Sequence, residues 1–140
     1  MKNLLILCTG NSCRSQMAEG WFRHFGGDDL NVYSAGVETH GVNPTAVKVM
    51  AEAGQDISSH TSNHMDEYLH LDFDFVITVC DSAKERCPVF PTRAMKFHHN
   101  FDDPPKAQGT EEEKLNVFRR VRDEIRDYAK EFCMKHLKEA

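Results

Sequence analysis

The sequence predicts an α/β protein built as a doubly wound four-stranded parallel sheet with helices on both faces. Three observations predict it. Residues 3–8, "NLLILC", form a continuous apolar run, the mark of a strand buried on both faces. Strand-like and helix-like segments alternate along the chain, the pattern of a parallel sheet with crossover helices. The last patterned segment is a long amphipathic helix, and no repeat or low-complexity linker interrupts the order. At 140 residues, one domain over 1–140 is expected, with enough chain to bury a real core.

The elements follow in order. After the first strand, Met17, Trp21, Phe22 and Phe25 recur at helical spacing, and Gly26-Gly27 stop that helix. "NVYSAG" (31–36) is the second strand. "NPTAVKVMAEAG" (43–54) is a helix with Asn43 as N-cap, Pro44 in the first position and Gly54 past the end. Residues 57–71 are polar and read as a loop with one short helix. "FDFVITVC" (73–80) is the third strand and "AMKF" (94–97) a weaker fourth, followed by the turn-rich "HHNFDDPPKAQG" (98–109). Thr110 and Glu113 form a capping box, and Leu115, Phe118, Val121, Ile125, Tyr128 and Phe132 make one apolar stripe. Right-handed crossovers then place any ligand beyond the carboxyl ends of the strands.

Composition excludes several classes. The net charge of −5 speaks against nucleic acid as a partner, and it requires an anionic substrate to be held by local features. No apolar run approaches the roughly 20 residues that span a bilayer, so no membrane association is expected. The N-terminus lacks the apolar core and cleavage site of a secretory signal, and a cytoplasmic location is expected. There the five cysteines should be reduced thiols unless catalytic or redox-sensing. No coiled-coil seam is present, and a monomer is expected.

The stretch "LCTGNSCRSQ" (7–16) lies where chemistry is expected. Cys8 ends a strand and Arg14 opens a helix. The loop between them, Thr9, Gly10, Asn11, Ser12 and Cys13, offers consecutive backbone N–H groups at a helix N-terminus, a cradle for a tetrahedral oxyanion. Gly10 and Asn11 tolerate the left-handed backbone such a turn needs. Arg14 adds a planar, permanently charged clamp. The same field should make Cys8 a thiolate nucleophile, with Ser15 placed to donate to its sulfur. Cys13 fits a packed role and Cys133 borders the last helix's stripe. His60, His64, His98 and His99 are weak ligand signals, and no transition metal is expected.

Cys80 and Cys87 bracket "DSAKER" (81–86), a helix-competent segment ended by Pro88. In a helix, seven residues rise about 10.5 Å, too far for a disulfide. The two thiols can pair only if that segment unwinds, which makes a switch. The spacing differs from a redox Cys-x-x-Cys and does not suit zinc.

"CTGNSCRS" resembles the Cys-x5-Arg-Ser loop of the low-molecular-weight protein tyrosine phosphatase fold, and the β/α order agrees over essentially the whole chain. That resemblance implies a general acid in a late Asp-Pro, here Asp103-Pro104. With Cys80 and Cys87 added, the sequence resembles the thioredoxin-coupled arsenate reductase branch. The resemblance implies that Cys8 attacks arsenate while Asp103 protonates the departing oxygen. Cys80 then attacks Cys8, releasing arsenite and leaving a Cys8-Cys80 disulfide. Cys87 moves it to Cys80-Cys87, where thioredoxin reduces it. No tightly bound cofactor is implied. Some relatives hold potassium beside the loop; its ligands would fall at Asn11, Glu19, Ser34, Thr61 and residue 63, which is Asn here where such relatives carry Asp. Two other readings remain open, a phosphatase acting on phosphotyrosine or another phosphomonoester, and a thiol redox sensor.

Overall fold

The computed structural model describes residues 1–80 and 90–137. Four strands, β1 (Lys2–Cys8), β2 (Leu30–Gly36), β3 (Phe75–Thr78) and β4 (Met95–His98), form one parallel sheet in the order β2-β1-β3-β4. Three α-helices accompany them, α1 (Arg14–Gly26), α2 (Pro44–Glu52) and α3 (Glu111–His136). The doubly wound order is the expected one. From β1 the chain steps outward to β2, then crosses back over to β3 and β4. The direction therefore reverses between β1 and β3, and the crevice beyond their carboxyl ends is the place where such sheets take ligands.

The central strand explains the layering. Side chains of a strand alternate between faces, and in β1 both sets are buried from Leu4 to Cys8. Leu4, Ile6 and Cys8 join the main core, to which all three α-helices contribute through Phe22, Val49, Ile125 and their neighbours. Leu5 and Leu7 join a second core with Ala35, Val76, Phe73 and Phe90, backed by Met65 and Tyr68. That face is covered by the 3-10 turn Met65–Tyr68, the short helix expected in the 57–71 loop. Phe132 of α3 docks edge-on against Phe22, Phe75 and Phe97 at centroid distances of 5.5, 5.3 and 5.0 Å, the geometry that ring quadrupoles favour.

Helix ends match their sequence signals. Asn43 Oδ1 accepts from the N–H groups of Thr45 and Ala46, at 2.8 and 3.1 Å. Thr110 and Glu113 form the reciprocal capping box. The strands differ more. β3 keeps only Phe75–Thr78 of the expected eight-residue run, because the ladder extends only where β1 and β4 both lie alongside. β4 begins and ends one residue later than expected. The segment 81–86, expected to be helix-competent, falls outside the described residues.

At the end of β2, Gly36 lies opposite Cys8. A Cβ placed there would meet the Thr9 carbonyl oxygen at 2.5 Å and that of Glu38 at 2.9 Å. Backbone cannot yield as a flexible side chain does. Gly36→Ala should therefore lower stability by about 1–3 kcal/mol in urea unfolding; a midpoint equal to that of the wild type would contradict this close approach.

Candidate active site

The loop from Thr9 to Cys13 is fastened from outside. The Thr9 carbonyl accepts from the Glu38 N–H at 3.0 Å, that of Gly10 from the His40 N–H at 3.1 Å, and that of Ser12 from the Asn43 N–H at 2.9 Å. The Asn11 carbonyl accepts from Gln16 Nε2 at 3.1 Å. A trans peptide is planar, so a carbonyl and the next residue's N–H point in opposite directions. The N–H groups of Gly10, Asn11, Ser12 and Cys13 accordingly point opposite to the carbonyls before them, and the loop borders a cavity of about 480 Å³ lined by Cys8, Ser12, Cys13, Arg14 and Asp103, with His40 and Lys106 also on its wall.

Asn11 adopts φ 47°, alone among the non-glycine residues described. Its buried amide donates to Ser15 Oγ (2.9 Å) and Ser34 Oγ (3.0 Å) and accepts from the Asn63 N–H (2.7 Å), which holds that conformation. Gly10 was expected to share the left-handed backbone and does not. A Cβ there would lie 2.8 Å from the exposed His40 ring, which would have to move aside. Ser15 is fully buried and accepts from Asn11, which leaves its own hydrogen to donate.

Arg14 is equally fixed. Its side chain is 3% exposed, Nη1 donates to the Phe101 carbonyl at 3.2 Å, and Nη2 lies 3.7 Å from Asp103 Oδ2. Asp102 instead pairs with Arg120 of α3 at 2.8 Å. Of the two adjacent carboxylates, Asp103 is thus the one facing the cradle. Cys8 is 3% exposed and lines the cavity. Cys80 is fully buried, and the Val79 N–H donates to the Leu7 carbonyl at 3.0 Å. Cys8 and Cys80 each follow one partner of that hydrogen bond, so they leave the sheet side by side across the switch point. Cys13 and Cys133 are not in disulfides, and Cys80 is disulfide-bonded. Cys87 lies outside the described residues.

The remaining thiols are muted. Burial, reinforced by the Asp103 carboxylate and by Cys8, pushes the Cys13 thiol far up, and burial pushes Cys133 up to about 11. The histidines have other partners. His64 caps the 3-10 turn by accepting from the Asp66 N–H, His98 bonds Thr78 at 2.6 Å, and His99 stacks on Phe101.

Behind the loop lie the residues implied as potassium ligands. Glu19 accepts from Ser34 Oγ at 2.6 Å, but its other oxygen is held by Arg23 at 3.0 Å and approached by His60 at 3.5 Å. Burial pulls His60 down in pKa against the opposing pull of Glu19. Thr61 Oγ1 donates to Asn63 Oδ1 at 2.7 Å, and a neutral amide stands where a carboxylate would add charge. With Arg23 answering the charge of Glu19, this donor set does not fit a resident potassium ion.

A cysteine at a strand end, a loop at a helix N-terminus, a buried arginine and an aspartate thus meet at one cavity. Residues 3–140 match the low molecular weight phosphotyrosine protein phosphatase family, and the chain belongs to it. Within that family, it is 56% identical over 132 residues to an arsenate reductase of Bacillus licheniformis, covering 94% of this chain and 95% of the relative. It is 54% identical over 135 residues to the arsenate reductase of Bacillus subtilis, covering 95% and 97%. An arsenate reductase solved in its phosphate-binding state superposes with a TM-score of 0.82 at 34% identity, over 96% of this chain and 98% of that one. A low molecular weight protein tyrosine phosphatase from T. tengcongensis superposes at 0.77 with 26% identity, over 96% and 99%.

One residue at this site, Gln16, carries no sequence signal that marks its role, whereas Gly36 does carry one, a glycine closing a strand beside a loop. A thiol held protonated does not alkylate. Brief iodoacetamide treatment of the reduced native protein at pH 7 should therefore leave Cys13 and Cys133 unmodified in a peptide map. Labelling of Cys13 as fast as Cys8 would contradict the desolvation of that thiol.

Proposed function

We propose that this protein reduces arsenate to arsenite, taking two electrons from its own thiols and then from a thioredoxin-type dithiol. The observation that carries this reading is the company Cys8 keeps. An oxyanion cradle alone would serve a phosphatase, but a second cysteine leaves the neighbouring strand one residue beyond the Leu7–Val79 hydrogen bond. The cavity also favours a small inorganic anion. Among the described residues that line it there is no Phe, Tyr or Trp against which a phosphotyrosine ring could stack.

The proposed steps balance. The Cys8 thiolate attacks arsenic, and an oxygen leaves as water with a proton supplied by Asp103. The inward N–H groups and Arg14 hold the remaining oxygens. Cys80 attacks the Cys8 sulfur, the sulfur–arsenic bond breaks, and its electron pair stays on arsenic as arsenite departs. A Cys8-Cys80 disulfide remains. Cys87 attacks Cys80, Cys8 leaves as thiolate, and the Cys80-Cys87 disulfide is reduced by exchange with the external dithiol. Phosphate monoester hydrolysis is the second reading. Cys8, Arg14 and Asp103 form a complete set for it without Cys80 or Cys87.

The test is arsenite release from arsenate by purified protein with thioredoxin, thioredoxin reductase and NADPH. Wild type should turn over continuously, while Cys87→Ser should stop after about one equivalent. No arsenite from wild type, with steady hydrolysis of a phosphotyrosine analogue by both proteins, would replace the reductase reading with the phosphatase one.

A further inference from the structure

Gln16 is fully buried in the first turn of α1, and none of the steps above uses it. A glutamine in the third position of a helix can reach back to the N–H of its own cap. Here the side chain does something else. Its Nε2 donates to the carbonyls of Asn11 (3.1 Å) and Thr61 (3.0 Å), and its Oε1 meets His60 Nδ1 at 3.1 Å. Two carbonyl oxygens can be satisfied only by the amide nitrogen, so chemistry fixes which way this amide faces.

The carbonyls of Thr9, Gly10 and Ser12 are held by backbone N–H groups of residues 38, 40 and 43. Backbone donors are present whatever side chain stands there. The Asn11 carbonyl is held by a side chain, that of Gln16. Asn11 is also the loop's left-handed residue, at φ 47°. The peptide between Asn11 and Ser12 is therefore the one whose direction depends on a replaceable group, in the residue with the least favourable backbone. If that peptide turns over, the Ser12 N–H leaves the cradle and a carbonyl oxygen takes its place, facing the bound anion.

We propose that Gln16 is a positioning residue of the oxyanion cradle. It holds the Asn11–Ser12 peptide with its N–H toward the anion, and His60 and Thr61 hold Gln16 in turn. This deepens the reading of the site as an oxyanion site. Its test uses phosphate binding, so it stands or falls apart from arsenate reduction.

The experiment is titration of the reduced protein with inorganic phosphate, followed by calorimetry and by the Ser12 amide resonance in 15N-labelled protein. In wild type the Ser12 resonance should shift with the binding isotherm. Gln16→Met removes the donor at similar length, and Gln16→Glu keeps the shape while turning an acceptor toward the two carbonyls. Each should weaken phosphate binding about tenfold or more, and the Ser12 resonance should no longer follow the titration. A residue that only fills space would lower the melting temperature and leave phosphate affinity within twofold, and that result would overturn the proposal. So would a wild-type Ser12 resonance that phosphate does not move, an outcome that can be read even if neither variant folds.

Discussion

Every peptide of the loop after β1 has a carbonyl and an N–H, and the structure satisfies the carbonyls from outside. Residues 38, 40 and 43 and the Gln16 amide take up the four oxygens of Thr9 to Ser12. The N–H groups are left facing inward, and the rest of the site is arranged around that fact. Gly36 has no side chain because the fastened loop passes directly over it. Asn11 accepts an uncommon backbone angle because four residues grip its side chain and carbonyl. Turned inward at a helix N-terminus, these amides supply a positive field without a positive residue.

That economy suits a chain of net charge −5. An anion is drawn by local features that the overall charge does not supply: the amides, Arg14 sealed at 3% exposure, and Lys106 at the rim. Behind the loop the charge of Glu19 is answered by Arg23, so it does not oppose the cradle. Burial and the Asp103 carboxylate push the Cys13 thiol up, although it borders the same cavity as Cys8.

Much of this was legible in the sequence where the cause was local. The apolar run of β1, the Asn43 cap and the Thr110–Glu113 box depend on neighbours a few residues away, and they appear as read. Cys8, Arg14 and the loop between them were legible because strand, loop and helix follow directly. What depends on distant partners was not. The length of β3 is set by its neighbours in the sheet. Asp103 was assigned by resemblance alone; the physical separation from Asp102 comes from Arg120, 18 residues further along the chain, which pairs with Asp102. Gly10, expected to be left-handed, is not, and nothing local in the sequence marks the contacts of Gln16. A side chain that holds a carbonyl has no pattern of its own in sequence.

If fastening the loop's carbonyls from outside creates a field at the strand end, Cys8 should be an activated thiol. Ultraviolet absorbance of the reduced protein at 240 nm, titrated with pH and compared with Cys8→Ser, tests it most directly. The account predicts a thiolate in wild type that is missing from the variant and forms at least about one pH unit below the ordinary thiol value near 8.5. A wild-type titration in which Cys8 ionises at that ordinary value would show that the cradle holds anions without activating the thiol, and would contradict the account.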